Sequence, residues 1–290
     1  MSQQNQSDRA AKRVCVVGGG PSGLTATKTL LQSGLHVDCF EMSPHIGGHW
    51  VLNNPNGRSS AYGSLRTNTT KKMSRFSDFD MPEDWPEFPS CALVRTWLES
   101  YVDQFGFRNS IKTGTQVISA TPRAEGGWRV TVSADGQEST HDYNALVAAS
   151  GSYWDPQMPT WPGLFEGAIF HAQDYLDPTT PVDTSGKNVI IVGIGNTGCE
   201  LACEIGRSAS NTVYLSARSG TWIMPKTLNG VPAAEGVPLS HPTDEVPEDL
   251  AALPELDRED LLTRLASEKI RETYGPRMQR CEALGLPPAP

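Results

Sequence analysis

One pattern constrains this chain more than any other: an apolar run that breaks into G-x-G-x-x-G, resumes with helical spacing, and occurs twice. Residues 13–18, RVCVVG, read as a β-branched strand. Gly18, Gly20 and Gly23 follow, residues 25–34 carry apolar positions at helical spacing, and HVDCFEMS at 36–43 returns to strand. NVIIVG at 188–193 begins the second copy. Gly193, Gly195 and Gly198 repeat the spacing, CELACEIG continues as helix, and TVYLSAR at 212–218 is the next strand. A strand–turn–helix–strand unit pairs its strands in parallel, with the helix crossing over the sheet. Two such units imply an α/β chain with two Rossmann-like dinucleotide-binding domains.

Each glycine has a physical task. The first permits the tight turn, the second lets backbone approach a pyrophosphate, and the third lets helix and strand pack closely. Pro21 and Ser22 fill the intervening positions of the first turn, and Asn196 and Thr197 those of the second. The helix that opens there presents unpaired N–H groups and a positive dipole end to the phosphates. Glu41 closes the second strand of the first unit, where a carboxylate can accept from both ribose hydroxyls. The matching strand of the second unit ends in Leu215-Ser216-Ala217-Arg218-Ser219, without an acid. Arg218 can pair with a 2′-phosphate, and Ser216 or Ser219 can hydrogen-bond it, which favours NADP(H) over NAD(H).

Between the units, residues 53–90 read as loop, and a helix is predicted from Cys91 to Phe105 on the spacing of Val94, Trp97, Leu98, Tyr101 and Phe105. Residues 111–150 read as three strands, with a hairpin turn at Asp135-Gly136 and a last strand, NALVAAS, returning to a parallel sheet. The Pro-rich stretch 155–163 marks the expected boundary between domains at 1–158 and 159–290. Residues 225–256 read as irregular, followed by a helix capped by Asp257.

The 290 residues suffice for two domains. A net charge of −9 without Lys/Arg clusters makes the chain a poor candidate for nucleic acid or anionic membrane binding. No apolar run approaches the roughly 20 residues of a membrane span, and the polar start has no signal-peptide core. Six scattered cysteines suggest reduced thiols and a cytoplasmic protein. Cys199 and Cys203, at i, i+4, read as small apolar residues on a buried helix face, and no metal site is expected.

FEMSPHIGGHW at 40–50, LRTNTTKKMSRFSDFDMPEDWPEFPS at 65–90 and FEGAIFHAQDY at 165–175 are more specific than the glycine turns. From about residue 13 onwards the chain resembles the N-terminal part of the flavin-containing monooxygenases. The last stretch fits that family's F-x-G-x-x-x-H-x-x-x-Y/F signature with Phe165, Gly167, His171 and Tyr175. The resemblance implies FAD on the first turn and NADPH on the second. It implies that Gly47, Gly48 and Trp50 lie against the FAD, with Val117 and Gly151 also at that site. It places Asn68 beside flavin and nicotinamide, holding the oxygenated flavin. His171 would lie where the domains meet and orient the linker. The implied reaction is hydride transfer from NADPH to flavin, reaction with O₂ to a flavin hydroperoxide, and transfer of one oxygen to a soft nitrogen or sulfur nucleophile. Tyr175, where ketone-oxidising relatives usually carry Trp, favours amine or sulfide substrates.

Two alternatives stand beside this. One is an NAD(P)H-dependent flavoprotein reductase or oxidase of similar architecture; a disulfide reductase would need a redox cysteine pair, and no Cys-x-x-Cys is present. A truncated nucleotide-binding chain without turnover is the other, because nothing after Arg218 reads as the strands that would finish the second sheet. On that expectation the chain needs a homo-oligomeric partner or a further C-terminal segment, and alone it binds FAD weakly and makes peroxide.

Overall fold

The computed structural model describes residues 12–208, 210–218, 226–228 and 231–232. In chain order the elements are β1 (Arg13–Val17), α1 (Pro21–Gln32), β2 (His36–Phe40), α2 (Lys71–Ser74), α3 (Cys91–Gln104), β3 (Ile111–Lys112), β4 (Thr115–Pro122), β5 (Trp128–Ala134), β6 (Gln137–Tyr143), β7 (Ala145–Ala148), β8 (Asn188–Val192), α4 (Asn196–Arg207), β9 (Thr212–Ser216), β10 (Thr227–Leu228) and β11 (Val231–Pro232).

Strands β3-β2-β1-β7 form a sheet in that order, each pair parallel. Its central strand β1 buries Val14, Cys15 and Val16. The run is apolar throughout because both faces are covered. On one face Val16, Val37 and Cys39 pack with Leu30 and Leu31 of α1. On the other, Cys15 and Phe40 meet Val130, Val132 and Tyr143 of the antiparallel sheet β4-β5-β6. The first unit is therefore three layers deep.

Helix α3 begins where the Ser90 hydroxyl accepts from the Leu93 N–H, at 3.4 Å. It buries Val94, Trp97, Leu98, Tyr101 and Val102 on one face, against Leu24 of α1, Ile46 and Phe107. At about 1.5–3 kcal/mol for each large side chain removed from water, that face supplies the main anchor of the loop-rich region before it.

The predicted hairpin turn is present: Asp135 and Gly136 have φ of 50° and 76°. Its second arm, β6, and the two-residue β3 are strands that the sequence reading omitted, so residues 111–150 hold five strands instead of three. Most of β6 is polar and exposed, so it carries no apolar alternation. The second unit repeats the parallel pairing, β8 with β9, from Asn188↔Thr212 to Val192↔Ser216. Beyond it, β10 and β11 pair antiparallel, which corrects the expectation of irregular chain from residue 225. The Asn229-Gly230 dipeptide between them is a hairpin signal. The helix expected after Asp257 lies outside the described residues.

The buried-face reading of Cys199 and Cys203 is also corrected. Cys203 is exposed and Cys199 half-buried, while Leu201 and Ile205 face inward. Two residues along a helix is about 200° of rotation, so the cysteines fall on the side away from the apolar pair.

Candidate functional site

The two glycine turns have the same backbone. Gly18 and Gly193 take φ of +105° and +112°. Gly20 and Gly195 cap their helices in extended conformation, at φ −78° and −76°. The turn amide of Gly18 donates to the Phe40 carbonyl at 2.8 Å, and that of Gly193 to the Ser216 carbonyl at 2.9 Å. A methyl on Gly23 would sit 1.8 Å from the Gly18 carbonyl oxygen, and one on Gly198 2.2 Å from that of Gly193. The third glycine of each turn is thus a packing requirement.

At the first turn other segments close in. Gly47 donates its N–H to the Gly19 carbonyl at 3.0 Å. A methyl on Gly48 would lie 3.0 Å from Gly20 Cα. These contacts bring the Gly47-Gly48 backbone against the first glycine turn. Ala149 lies across its other flank, and Gly151, at φ +78°, turns the chain just beyond. Glu41 is buried, its two carboxylate oxygens accepting from the Gly19 N–H at 2.6 Å and the Ser43 N–H at 2.7 Å. Burial raises its pKa, and these two amide donors oppose the rise. Each oxygen retains a lone pair, so the carboxylate is fixed beside the turn and can still accept from a ribose hydroxyl.

A cleft of about 360 Å³ opens at the first residue of α1. Its wall carries Pro21, His49, Trp50 and residues 65–69, with Met81, Val94 and Trp97 below. That volume lies in the range of small-molecule sites. Pro21, Trp50 and Asn68, chosen from three distant parts of the sequence, meet here. Thr67, in the same wall, buries a hydroxyl that has no hydrogen-bond partner among the described residues. The site therefore suits a flavin on three counts: glycine cradle, helix N-terminus and mixed cleft.

Val117 stands apart from this gathering. It lies on β4 opposite Val132, its side chain against the apolar cluster between the sheets. Its link to the turn is indirect, through Thr115, whose N–H donates to the Glu41 carbonyl at 2.9 Å. His49 is the residue that sequence reasoning missed. Its Nδ1 is 2.6 Å from the Ser60 hydroxyl, its ring packs on Trp50, and burial lowers its pKa. No local pattern marks it, although its place between Gly48 and Trp50 was a usable hint.

At the second turn Ser216 and Arg218 are exposed, and Ser219 lies outside the described residues. A methyl on Gly193 or on Gly195 would meet no atom within 4 Å among the described residues. The two units meet along a seam in which Leu201 and Ile205 pack with Ala61, Tyr62, Leu65 and the wholly buried Tyr175. His171 caps the short turn before Tyr175, its Nδ1 accepting from the Gln173 N–H at 3.1 Å. Gly167 lies under the exposed Phe165 ring, which would have to swing aside for a methyl there.

Fold and turns together define a protein with two dinucleotide-type phosphate cradles joined by a packed seam. Residues 11–237 match the Flavin-binding monooxygenase-like family. Flavin-containing monooxygenase 5 of Rattus norvegicus is 38% identical over 74% of the chain and 42% of its own length. Dimethylaniline monooxygenase [N-oxide-forming] 2 of Mus musculus is 37% identical over 74% of the chain and 41% of its own. Among solved structures, S-allyl-L-cysteine S-oxygenase from Allium sativum shares the fold with a TM-score of 0.66 at 24% identity, covering 77% of this chain and 54% of that one. Cyclohexanone monooxygenase in its open form gives 0.60 at 25%, covering 74% and 41%. The chain belongs to the flavin-binding monooxygenase-like family, and it spans less than half the length of the curated relatives it matches.

Proposed function

We propose that this protein is an NADPH-dependent flavin monooxygenase that places one atom of O₂ on the nitrogen of an amine or the sulfur of a sulfide. The balance is substrate, NADPH, H⁺ and O₂ going to the oxide, NADP⁺ and water. The observation that carries this reading is the meeting of Pro21, Trp50 and Asn68 in one cleft at the first glycine turn. FAD, when bound and reduced, supplies the activation of oxygen.

The chain's own residues bind, orient and exclude water. Gly18, Gly20 and Gly23, with Gly47 and Gly48, cradle the FAD pyrophosphate, and Glu41 fixes its ribose. Trp50 lies beside the flavin, while Met81, Val94 and Trp97 keep the cleft apolar. A dry wall matters because water drains the reactive oxygen away as H₂O₂. The exposed Asn68 amide offers both a donor and an acceptor at the cleft rim. Gly193, Gly195, Asn196, Thr197 and Gly198 hold NADPH, with Ser216 and Arg218 reading its 2′-phosphate. The two cofactor domains divide near residue 158. The name of one relative at 37% identity, N-oxide-forming, supports a nitrogen nucleophile.

Asn68→Ala tests the reading. Flavin reduction by NADPH continues in the variant, because hydride transfer needs proximity more than this amide. Oxide product falls and H₂O₂ rises by a matching amount. Product yield equal to wild type would remove Asn68 from the mechanism. A wild-type chain that binds both cofactors yet forms no amine or sulfide oxide would favour nucleotide binding without turnover. That second reading draws on the open face of the second unit, where Ile190 and Val192 are 62% and 59% exposed among the described residues.

A further inference from the structure

The loop that carries Asn68 is gripped from the second unit. Helix α4 presents Glu200 and Glu204, one turn apart, to residues 61–68. The Tyr62 hydroxyl donates to Glu200, and the Ser64 hydroxyl donates to Glu204 Oε2 at 2.7 Å. On its other side the loop is tied to the chain before α3: the Thr67 N–H donates to the Pro89 carbonyl at 3.0 Å, and the Cys91 N–H to the Leu65 carbonyl at 2.9 Å. Lys226 completes the grip. Its ammonium donates to the Thr67 carbonyl at 3.2 Å, lies 3.3 Å from Glu200 Oε1, and stands 5.8 Å over the Phe88 ring.

The Thr67 carbonyl belongs to the same planar peptide as the Asn68 N–H. Fixing that oxygen fixes the plane from which the Asn68 side chain departs. It also fixes the carbonyl of Thr67, itself a residue of the cleft wall. Lys226 can do this because Glu200 neutralises it and shares it, and Glu200 is itself held by Tyr62. We infer that Lys226 is a positioning residue for Asn68, a clamp by which the nicotinamide-side unit sets the geometry of the flavin-side cleft. It acts through Thr67 and touches neither cofactor in this role. The consequence for function rests on the monooxygenase reading above, whereas the clamp itself does not.

The test uses the full chain with Lys226→Met, which keeps the stem and removes the ammonium, and Lys226→Arg, which keeps a cation. Arg66 is exposed and precedes Thr67, so trypsin reports directly on release of the loop. Cleavage after Arg66 should quicken roughly tenfold in Lys226→Met, the scale of one lost charge-assisted hydrogen bond, and return near wild type in Lys226→Arg. Cleavage after Arg123, in the distant β4–β5 turn, should not change. Equal rates at Arg66 in wild type and Lys226→Met overturn the clamp, and so does an equal increase at Arg123, which would mean general loosening. With cofactors bound, Lys226→Met should shift oxide towards H₂O₂ at unchanged KM for NADPH, with rescue by Lys226→Arg. A freed Arg66 with an unchanged product-to-peroxide ratio overturns the positioning of Asn68. A wild type that forms no oxide defeats the functional reading, and proteolysis alone then decides the clamp.

Discussion

The first and second glycine turns share their dihedral angles, their helix caps and their strand-to-turn hydrogen bonds, yet they sit in different surroundings. A methyl on Gly18 would stand 2.4 Å from the Ala149 carbonyl oxygen, whereas one on Gly193 would meet nothing within 4 Å among the described residues. Strand β1 is buried on both faces. Strand β8, an equally apolar run, covers Val189 and Ile191 with α4 and leaves Ile190 and Val192 open. The difference teaches that the phosphate turn is a local structure. Three glycines, a preceding strand and a following helix suffice to make it. Enclosure is a separate property, supplied by chain from elsewhere: Gly47-Gly48 on one flank, Ala149 on the other, and the antiparallel sheet beneath.

The comparison breaks most visibly under matched alanine substitutions at the first glycines. Both sites have φ near +110°, so both variants bear backbone strain of about 1–2 kcal/mol. Gly18→Ala adds a collision with a backbone oxygen that cannot move without parting β7 from β1. It should lose roughly 3 kcal/mol or more of stability, Gly193→Ala about half of that or less. Denaturant melts of the two variants measure this, and equal losses would show that the second turn is enclosed as tightly as the first.

A smaller effect separates the two units by what they read. Arg218→Ala should weaken NADPH binding about ten- to a hundredfold, the worth of one charge-assisted phosphate contact. NADH binding should stay nearly constant, and so should the flavin. Equal losses for both nicotinamides would deny Arg218 its 2′-phosphate role. Glu41 at the corresponding end of β2 makes the opposite choice, since a carboxylate there repels such a phosphate.

The smallest effect concerns the enclosure of the first turn. Burial lowers the His49 pKa below that of the unfolded chain, so the folded state resists its protonation. The stability that His49 confers as a neutral ring is therefore complete above about pH 6.5 and is lost as pH falls through the unfolded pKa towards the folded one. His49→Gln should flatten the stability profile below about pH 6.5, read by thermal melts at stepped pH. A profile unchanged by the substitution would mean that the ring is free to titrate in the folded protein.

Much of the fold was legible because the signals are local. Glycine spacing, the Val94-to-Phe105 stripe and Asp135-Gly136 each make a demand on backbone or on one helix face, and each appears where expected. The polar strand Gln137–Tyr143 escaped because its ladder hydrogen bonds ask nothing of its exposed side chains. The inward face of α4 was misjudged because cysteine reads as apolar, while Leu201 and Ile205 two positions on are larger and more hydrophobic. In the site, Pro21 was found with the glycine turn and Trp50 and Asn68 through the family resemblance, and tertiary structure brings the three together. Tyr62, Glu200 and Lys226 could not have been found in that way. Tyr62 and Glu200 are 138 positions apart, and Lys226 and Thr67 are 159 apart, so no periodicity links them.

The most direct test of the account is flavin titration of the full chain and its Gly20→Ala and Gly195→Ala variants, followed by absorbance. Both substitutions suit the fold, since a methyl on Gly20 finds Gly48 Cα at an ordinary 3.6 Å and one on Gly195 finds open space among the described residues. In Gly20→Ala that methyl stands where a pyrophosphate approaches. The account predicts one FAD per chain in wild type and Gly195→Ala, and loss of the yellow colour in a folded Gly20→Ala. A colourless wild type, or FAD held equally by Gly20→Ala, would contradict it.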